Sequence, residues 1–124
     1  MKKIVVIMLF FVATTSFGQG NLQFNQVISG TGVLATNGVS ANQTVPTGKV
    51  WKIESINGWS NDHGSRLGLT INTITVPVLG NVQFPVWLKA GDVLKFTLLT
   101  NPGTGYATGP MNYIYSILEF NIIP

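Results

Sequence analysis

The chain of 124 residues contains no cysteine. Disulfide bonds, thiolate metal sites and a cysteine nucleophile are therefore excluded. A domain without these features has to be stabilised by its hydrophobic core, by self-association or by a bound ligand.

Charged residues are also scarce, at 9% of the chain, compared with roughly a quarter in ordinary soluble domains. No basic run is present that could meet a phosphate backbone, so we do not expect nucleic-acid binding. A surface rich in Asn, Thr, Ser and Gly has little charge repulsion. Such a surface favours association with further copies or with neutral ligands such as sugars.

Residues that carry catalytic chemistry are few. His63 is the one histidine of the chain, and no carboxylates follow the spacing of a zinc or calcium site. Asp62, His63 and Ser65 are close neighbours, whereas the members of a catalytic triad are usually brought together from separate elements. We therefore expect no metal, no cofactor and no enzymatic activity.

The one long hydrophobic run is Ile4–Ala13, which follows two lysines and precedes small residues at Ser16 and Gly18. This order is typical of a secretory signal peptide. The run has about half the roughly 20 residues that a membrane-spanning helix needs. We predict a signal peptide at residues 1–18 and one domain at 19–124. The mature chain would be exported to the periplasm, the cell surface or the medium, and would have no membrane span.

After residue 18, short apolar runs alternate with turn residues and no helical period is evident. Eight or nine short strands without a helix indicate a β-sandwich or a small barrel. The predicted strands are Leu22–Ile28, Gly32–Ala35, Val39–Val45, Lys49–Ile56, Arg66–Ile71, Ile74–Leu79, Val82–Lys89, Val93–Leu99 and Asn112–Ile123.

Alternation within these strands predicts which side chains face solvent. Leu94, Phe96 and Leu98 are expected to point into the core. In the last strand we expect Ile114, Leu118, Phe120 and Ile122 to point inward and Glu119 to point outward. A large outward apolar surface would favour a homo-oligomer. The predicted oligomer interface consists of Trp87, Tyr113, Tyr115 and Ile117.

Two segments carry a family resemblance. The sequence Leu88-Lys89-Ala90-Gly91-Asp92-Val93-Leu94, with the glycine-rich loop and closing strand after it, resembles the penultimate turn of C1q/TNF-like jelly rolls. The segment Val45–Ile53 resembles small exported jelly-roll proteins of bacteria. The resemblance implies a two-sheet jelly roll and, for the C1q/TNF-like branch, a homotrimer. We therefore predict a single all-β, jelly-roll-like β-sandwich of about eight strands.

The richest cluster of polar and aromatic residues is the predicted loop Trp59–Arg66. Sugars present apolar faces that stack on aromatic rings and hydroxyls that pair with planar polar groups. A core or hinge role for the tryptophan is the alternative. We predict a ligand site formed by Trp59, Asn61, Asp62, His63, Arg66 and, from a second loop, Tyr106.

These observations favour an exported, non-enzymatic binding or adhesion module for a neutral glycan or another cell-surface ligand. The alternative is a structural protein that assembles with copies of itself into a homo-oligomer or filament. Membership of a larger surface assembly stays open as a third possibility.

Overall fold

The computed structural model describes residues 21–100 and 108–123, with Gly80 and Asn81 described by their backbone alone. The predicted signal peptide at residues 1–18 lies outside the described residues. In the part that is described, two antiparallel sheets of four strands each form a β-sandwich. The predicted all-β class is therefore confirmed.

The strands are numbered in chain order, and each sheet takes strands from along the whole chain. Sheet A has the order β1 (Asn21–Leu34), β8 (Met111–Ile123), β3 (Lys49–Trp59) and β6 (Val86–Lys89). Sheet B has the order β2 (Gln43–Thr44), β7 (Val93–Thr100), β4 (Ser65–Ile71) and β5 (Ile74–Pro77). One short helical turn, α1 (Val78–Asn81), follows β5. Within the described residues, no helix is long and apolar enough to cross a bilayer.

The strand pairing is nested along the chain. The first strand pairs with the last, β2 pairs with β7, β3 with β6, and β4 with β5. A long antiparallel ribbon that is folded across itself in this way is an eight-stranded jelly roll. Because consecutive strands alternate between the sheets over much of the chain, the segment joining β3 to β4 passes from one sheet to the other.

The core lies between the two sheets and follows the alternation of each strand. Leu94, Phe96 and Leu98 of β7 point into it, as predicted, and Trp51 is also buried there. The buried apolar set is Leu34, Val45, Trp51, Ile53, Ile56, Leu67, Leu69, Val78, Leu88, Leu94, Phe96, Leu98, Met111 and Ile117.

The first strand is longer than predicted. β1 continues through Gly30 and Gly32 and so joins two strands that were predicted to be separate. Gly30 is opposite Tyr115 and Gly32 is opposite Tyr113 on β8, and a Cβ at either glycine would overlap the tyrosine ring. The glycines therefore make space for two aromatic rings.

The prediction of which β8 side chains point into the core is wrong: the inward and outward sets are exchanged. Ile117 is fully buried and Glu119 is 3% exposed, whereas Ile114 and Ile122 lie on the exposed side. Tyr113 and Tyr115, which were also predicted to point outward, point inward as well. The centroid of the Phe96 ring lies 4.6 Å from the ring of Tyr113 and 5.2 Å from that of Tyr115. Because β8 carries large apolar residues on both faces, its alternation does not indicate which face is buried.

Candidate functional site

A surface cavity of about 310 Å³ lies at the end of the sandwich where β3 passes over to β4. This size is at the lower end of the roughly 300–1,000 Å³ range of small-molecule sites. The cavity can therefore hold a small ligand or one end of a longer one. Its lining consists of Gly58, Trp59, Ser60, Asp62, His63, Ser65, Arg66, Leu79 and Met111.

The structure brings four of the six predicted ligand residues to this cavity: Trp59, Asp62, His63 and Arg66. Asn61 is exposed in the same turn but is not part of the lining. Tyr106 lies outside the described residues. Trp59 has 53% of its surface exposed, so a core role for this tryptophan is wrong. Trp59 is the last residue of β3, and the alternative of a hinge role stays open.

Two serines fix the turn that carries these side chains. The Oγ of Ser60 accepts a hydrogen bond from the Asp62 N–H at 3.1 Å and donates to the Pro110 carbonyl at 2.9 Å. The Oγ of Ser65 donates to the Gly109 carbonyl at 2.9 Å and accepts from the Gly109 N–H at 3.0 Å. The turn is thereby attached to the backbone that leads into β8, which holds the cavity wall in place.

The hydrogen bonds of Ser65 do not match those of a catalytic serine. The hydroxyl proton of Ser65 is donated to a backbone carbonyl, so it does not point at His63. Asp62 is the one carboxylate among the described lining residues, whereas glycoside hydrolysis generally uses a pair. Among residues 21–100 and 108–123, no group of three or more His, Asp and Glu side chains is arranged to hold a metal ion.

Gly109 makes room for the Asp62 carboxylate. A Cβ at this position would overlap the carboxylate oxygen, so a larger residue would push Asp62 away from its place in the cavity wall. Gly109 and the lining residues Leu79 and Met111 were not predicted from the sequence. They come from segments far from the turn in the chain, and no local pattern connects them to it.

The predicted oligomer interface is largely wrong. Trp87 is half exposed on the outer face of sheet A, as expected, but Tyr113, Tyr115 and Ile117 point into the sandwich. The structure places other apolar side chains beside Trp87 instead. This group, termed the sheet A patch, consists of Leu22, Phe24, Val27, Val50, Trp87, Leu118, Phe120 and Ile122.

Fold and site together define a jelly-roll β-sandwich with one ligand-sized cavity described at the β3–β4 end. Comparison of the chain with protein-family models, with curated proteins and with solved structures finds no match. The resemblance to C1q/TNF-like and small bacterial jelly-roll proteins therefore stays a prediction.

Proposed function

We propose that the protein is an exported, non-enzymatic binding module and that its ligand is a neutral glycan held in the cavity at the β3–β4 end. The observation that carries the proposal is the half-exposed indole of Trp59 beside Asp62, His63 and Arg66 in one cavity. An aromatic ring next to hydrogen-bonding side chains suits the alternating apolar and hydroxyl surface of a sugar.

Each of these side chains has a distinct part in the proposed complex. The Trp59 ring stacks on the apolar face of a sugar ring. The Asp62 carboxylate accepts hydrogen bonds from hydroxyl groups, and the Arg66 guanidinium donates to ring or hydroxyl oxygens. The hydrogen bonds of Ser60 and Ser65 support binding without a covalent step, because both hydroxyl protons are donated to backbone carbonyls and not to a general base.

Export is part of this proposal and rests on the pattern of residues 1–18. It would place the cavity in the periplasm, on the cell surface or in the medium, where glycans are abundant. Mass spectrometry of the protein recovered after expression of the full chain in a bacterial host tests it. A mature chain that begins at Gln19 is the expected result, and a protein that keeps residues 1–18 in the cell contradicts export.

Glycan binding is tested on a glycan array, followed by calorimetric titration of the glycans that bind. Trp59→Ala should weaken binding about tenfold or more, equivalent to about 1.4 kcal/mol, since it removes the stacking surface. Asn61→Ala is the matched control, because Asn61 is in the same turn but outside the cavity lining. Unchanged affinity in both Trp59→Ala and Arg66→Ala would exclude this cavity as the site.

Self-assembly is the second candidate function. The observation that favours it is the sheet A patch, in which Trp87 and several other large apolar side chains are about half exposed. Contiguous apolar surface of this kind marks interaction sites. Light scattering on the mature protein tests the proposal: a dimer, a closed ring or a filament supports it, and a monomer at high concentration contradicts it.

A further inference from the structure

We infer that two copies of this chain pack face to face through the sheet A patch, and that the resulting dimer keeps both cavities open. The inference rests on the proposed self-association, to which it adds the contact surface and the stoichiometry. Its consequence for ligand binding rests on the proposed glycan site. A dimer with two open cavities is bivalent toward a ligand that carries repeated sugar units.

The centre of the patch is a row of aromatic rings that crosses sheet A. The ring centroids of Phe24 on β1 and Phe120 on β8 are 6.1 Å apart and meet edge to face. Phe120 is in turn 5.7 Å from Trp87 on β6, on the far side of β3. The row is therefore packed within one copy, and its outer surface is open, with 55% of Phe24 and 50% of Trp87 exposed.

A row of serines bounds the patch on the side that faces the cavity end. Ser29 on β1 is opposite Ser116 on β8, and Ser116 is opposite Ser55 on β3. Because these residues point to the same outer face, three neighbouring strands carry a serine at one level, and this row separates the patch from the exposed Ile114 and Val33. An apolar surface with a polar rim is the usual arrangement of a protein interaction site.

The cation at the centre of the patch is paired within one copy. Lys52, on the outer face of β3, lies with its Nζ 2.6 Å from Glu54 Oε1 and 5.7 Å from the centre of the Trp87 ring. A second copy that approaches this face meets a paired cation rather than an isolated one. Like-charge repulsion, which would oppose a symmetric contact between identical faces, is therefore reduced at Lys52. Lys89, exposed opposite Val50 on the edge strand β6, adds a cation at the margin of the patch.

The size of the patch fits a second copy. Five of its side chains, namely Leu22, Phe24, Val27, Trp87 and Ile122, are about half exposed. With roughly 150–250 Å² per large side chain, they leave on the order of 500 Å² of surface per copy. Two such faces would bury on the order of 1,000 Å², which is about the minimum for a specific interface. Sheets packed face to face at about 10 Å continue the layering already present in the sandwich.

The patch and the cavity lie at opposite ends of β8. Met111 lines the cavity at the beginning of this strand, and Phe120 and Ile122 belong to the patch near its end. At about 3.3 Å per residue, Phe120 at the centre of the patch lies roughly 30 Å along the strand from Met111. Packing at the patch therefore leaves the cavity accessible, and two cavities on one particle raise the avidity for a repeating ligand.

The test measures the mass of the mature protein by sedimentation over a range of concentrations. Phe24→Ser should raise the dimer dissociation constant at least tenfold, and Trp87→Ser, on another strand, should do the same. Val33→Ser is the matched control: Val33 is 64% exposed on β1 but lies beyond the serine row, so its replacement should leave the dimer unchanged. Thermal unfolding verifies that each variant is folded.

The outcomes separate the two proposals. A wild-type protein that stays monomeric overturns self-association and this inference together. An oligomer that Phe24→Ser and Trp87→Ser leave intact, or that Val33→Ser weakens equally, overturns only the assignment to the patch. The bivalent role is tested with beads that carry an attached glycan. The wild type should cross-link these beads, whereas Phe24→Ser should not. The affinity of Phe24→Ser for the free glycan should be unchanged. Cross-linking by monomeric Phe24→Ser would overturn the bivalent role.

Discussion

The indole Nε1 of Trp51 donates a hydrogen bond to Glu119 Oε2 at 2.8 Å inside the sandwich, between residues that are directly opposite on β3 and β8. The other carboxylate oxygen accepts from Asn25 Nδ2 at 2.6 Å and from Gln26 Nε2 at 3.0 Å, both on β1. Lys49 Nζ lies 3.9 Å from the same oxygen. One buried carboxylate therefore connects three adjacent strands of sheet A.

This network keeps Glu119 charged in spite of its burial. Hydrogen bonds from Trp51, and from Asn25 and Gln26, together with the nearby Lys49 cation, outweigh desolvation and hold the pKa of Glu119 below its ordinary value of 4.5. Because the ionised form is favoured more strongly in the folded than in the unfolded state, the charge of Glu119 contributes to stability relative to its protonated form.

The first prediction concerns acid stability. Because the pKa of Glu119 is lower in the folded than in the unfolded state, its contribution to stability is complete above about pH 4.5 and is lost as the pH falls through the folded value. Glu119→Gln should lower the free energy of unfolding at neutral pH by about 2 kcal/mol and flatten its fall toward low pH. Urea unfolding at a series of pH values measures both effects.

Glu54→Gln is the matched control for this prediction, because Glu54 is a partly exposed glutamate on β3. Some acid dependence should remain in Glu119→Gln. Hydrogen bonds from Asn72 and from the Lys89 N–H also lower the pKa of Asp92. If Glu119→Gln and the wild type lose stability in parallel on acidification, the stabilising role of the Glu119 charge is refuted.

The second prediction isolates the contact between Trp51 and Glu119. Trp51→Phe keeps an aromatic ring in the core but removes the indole N–H, so the pKa of Glu119 should rise. A double-mutant cycle of Trp51→Phe with Glu119→Gln should give a coupling free energy of about 1–2 kcal/mol. Additive effects of the two substitutions would show that the hydrogen bond contributes nothing to stability.

The third prediction concerns the glycines of β1. A Cβ at Gly30 would overlap the Tyr115 ring, so Gly30→Ala should destabilise the fold by about 1–3 kcal/mol through displacement of the ring. Ser29→Ala, at the adjacent position on the outer face, is the control and should change stability by less than about 0.5 kcal/mol. Chemical unfolding measures both variants, and equal stabilities would contradict the predicted overlap.

The fourth prediction concerns alkaline stability. Desolvation, with a smaller contribution from Tyr115, raises the pKa of Tyr113 above its ordinary value of 10.0. A raised pKa in the folded state means that stability is complete below about pH 10 and is lost as the pH rises through the folded value. Tyr113→Phe should therefore flatten the loss of stability above pH 10, as measured by urea unfolding. An unchanged alkaline profile would contradict burial of the phenol.

The fifth prediction links Gly109 to the cavity. Gly109→Ala should push the Asp62 carboxylate out of the cavity wall and weaken glycan binding about tenfold, or about 1.4 kcal/mol. Asp62→Asn in the Gly109→Ala background should then have little further effect on affinity. Full binding by Gly109→Ala would show that the position of Asp62 is unimportant for the ligand.

Local sequence was sufficient where one face of a strand is apolar and the other is polar. In β7, Leu94, Phe96 and Leu98 alternate with Lys95 and Thr97, and the predicted inward row is the buried one. The cavity residues Trp59 to Arg66 were found for a related reason. They are neighbours in one turn, so the chain itself brings them together.

Local sequence failed where both faces of a strand are apolar. In β8, large apolar side chains lie on both faces, with Tyr113, Tyr115 and Ile117 inside and Ile114, Phe120 and Ile122 outside, so contacts with other strands choose the inward row. Gly30 and Gly32 on β1 leave space for the two tyrosines, and Trp51 on β3 donates to Glu119. These partners are far away in the chain and have no local signature.

The amino-acid sequence by itself determined the all-β class, the sparsely charged surface, the absence of disulfides and the grouping of Trp59, Asp62, His63 and Arg66, because these properties depend on composition and on near neighbours. Only the tertiary structure decided which face of β8 lies inside and which apolar side chains form the sheet A patch. A shift of one residue exchanges all the buried and exposed side chains of a strand, and in β8, where both faces are apolar, long-range packing sets that choice.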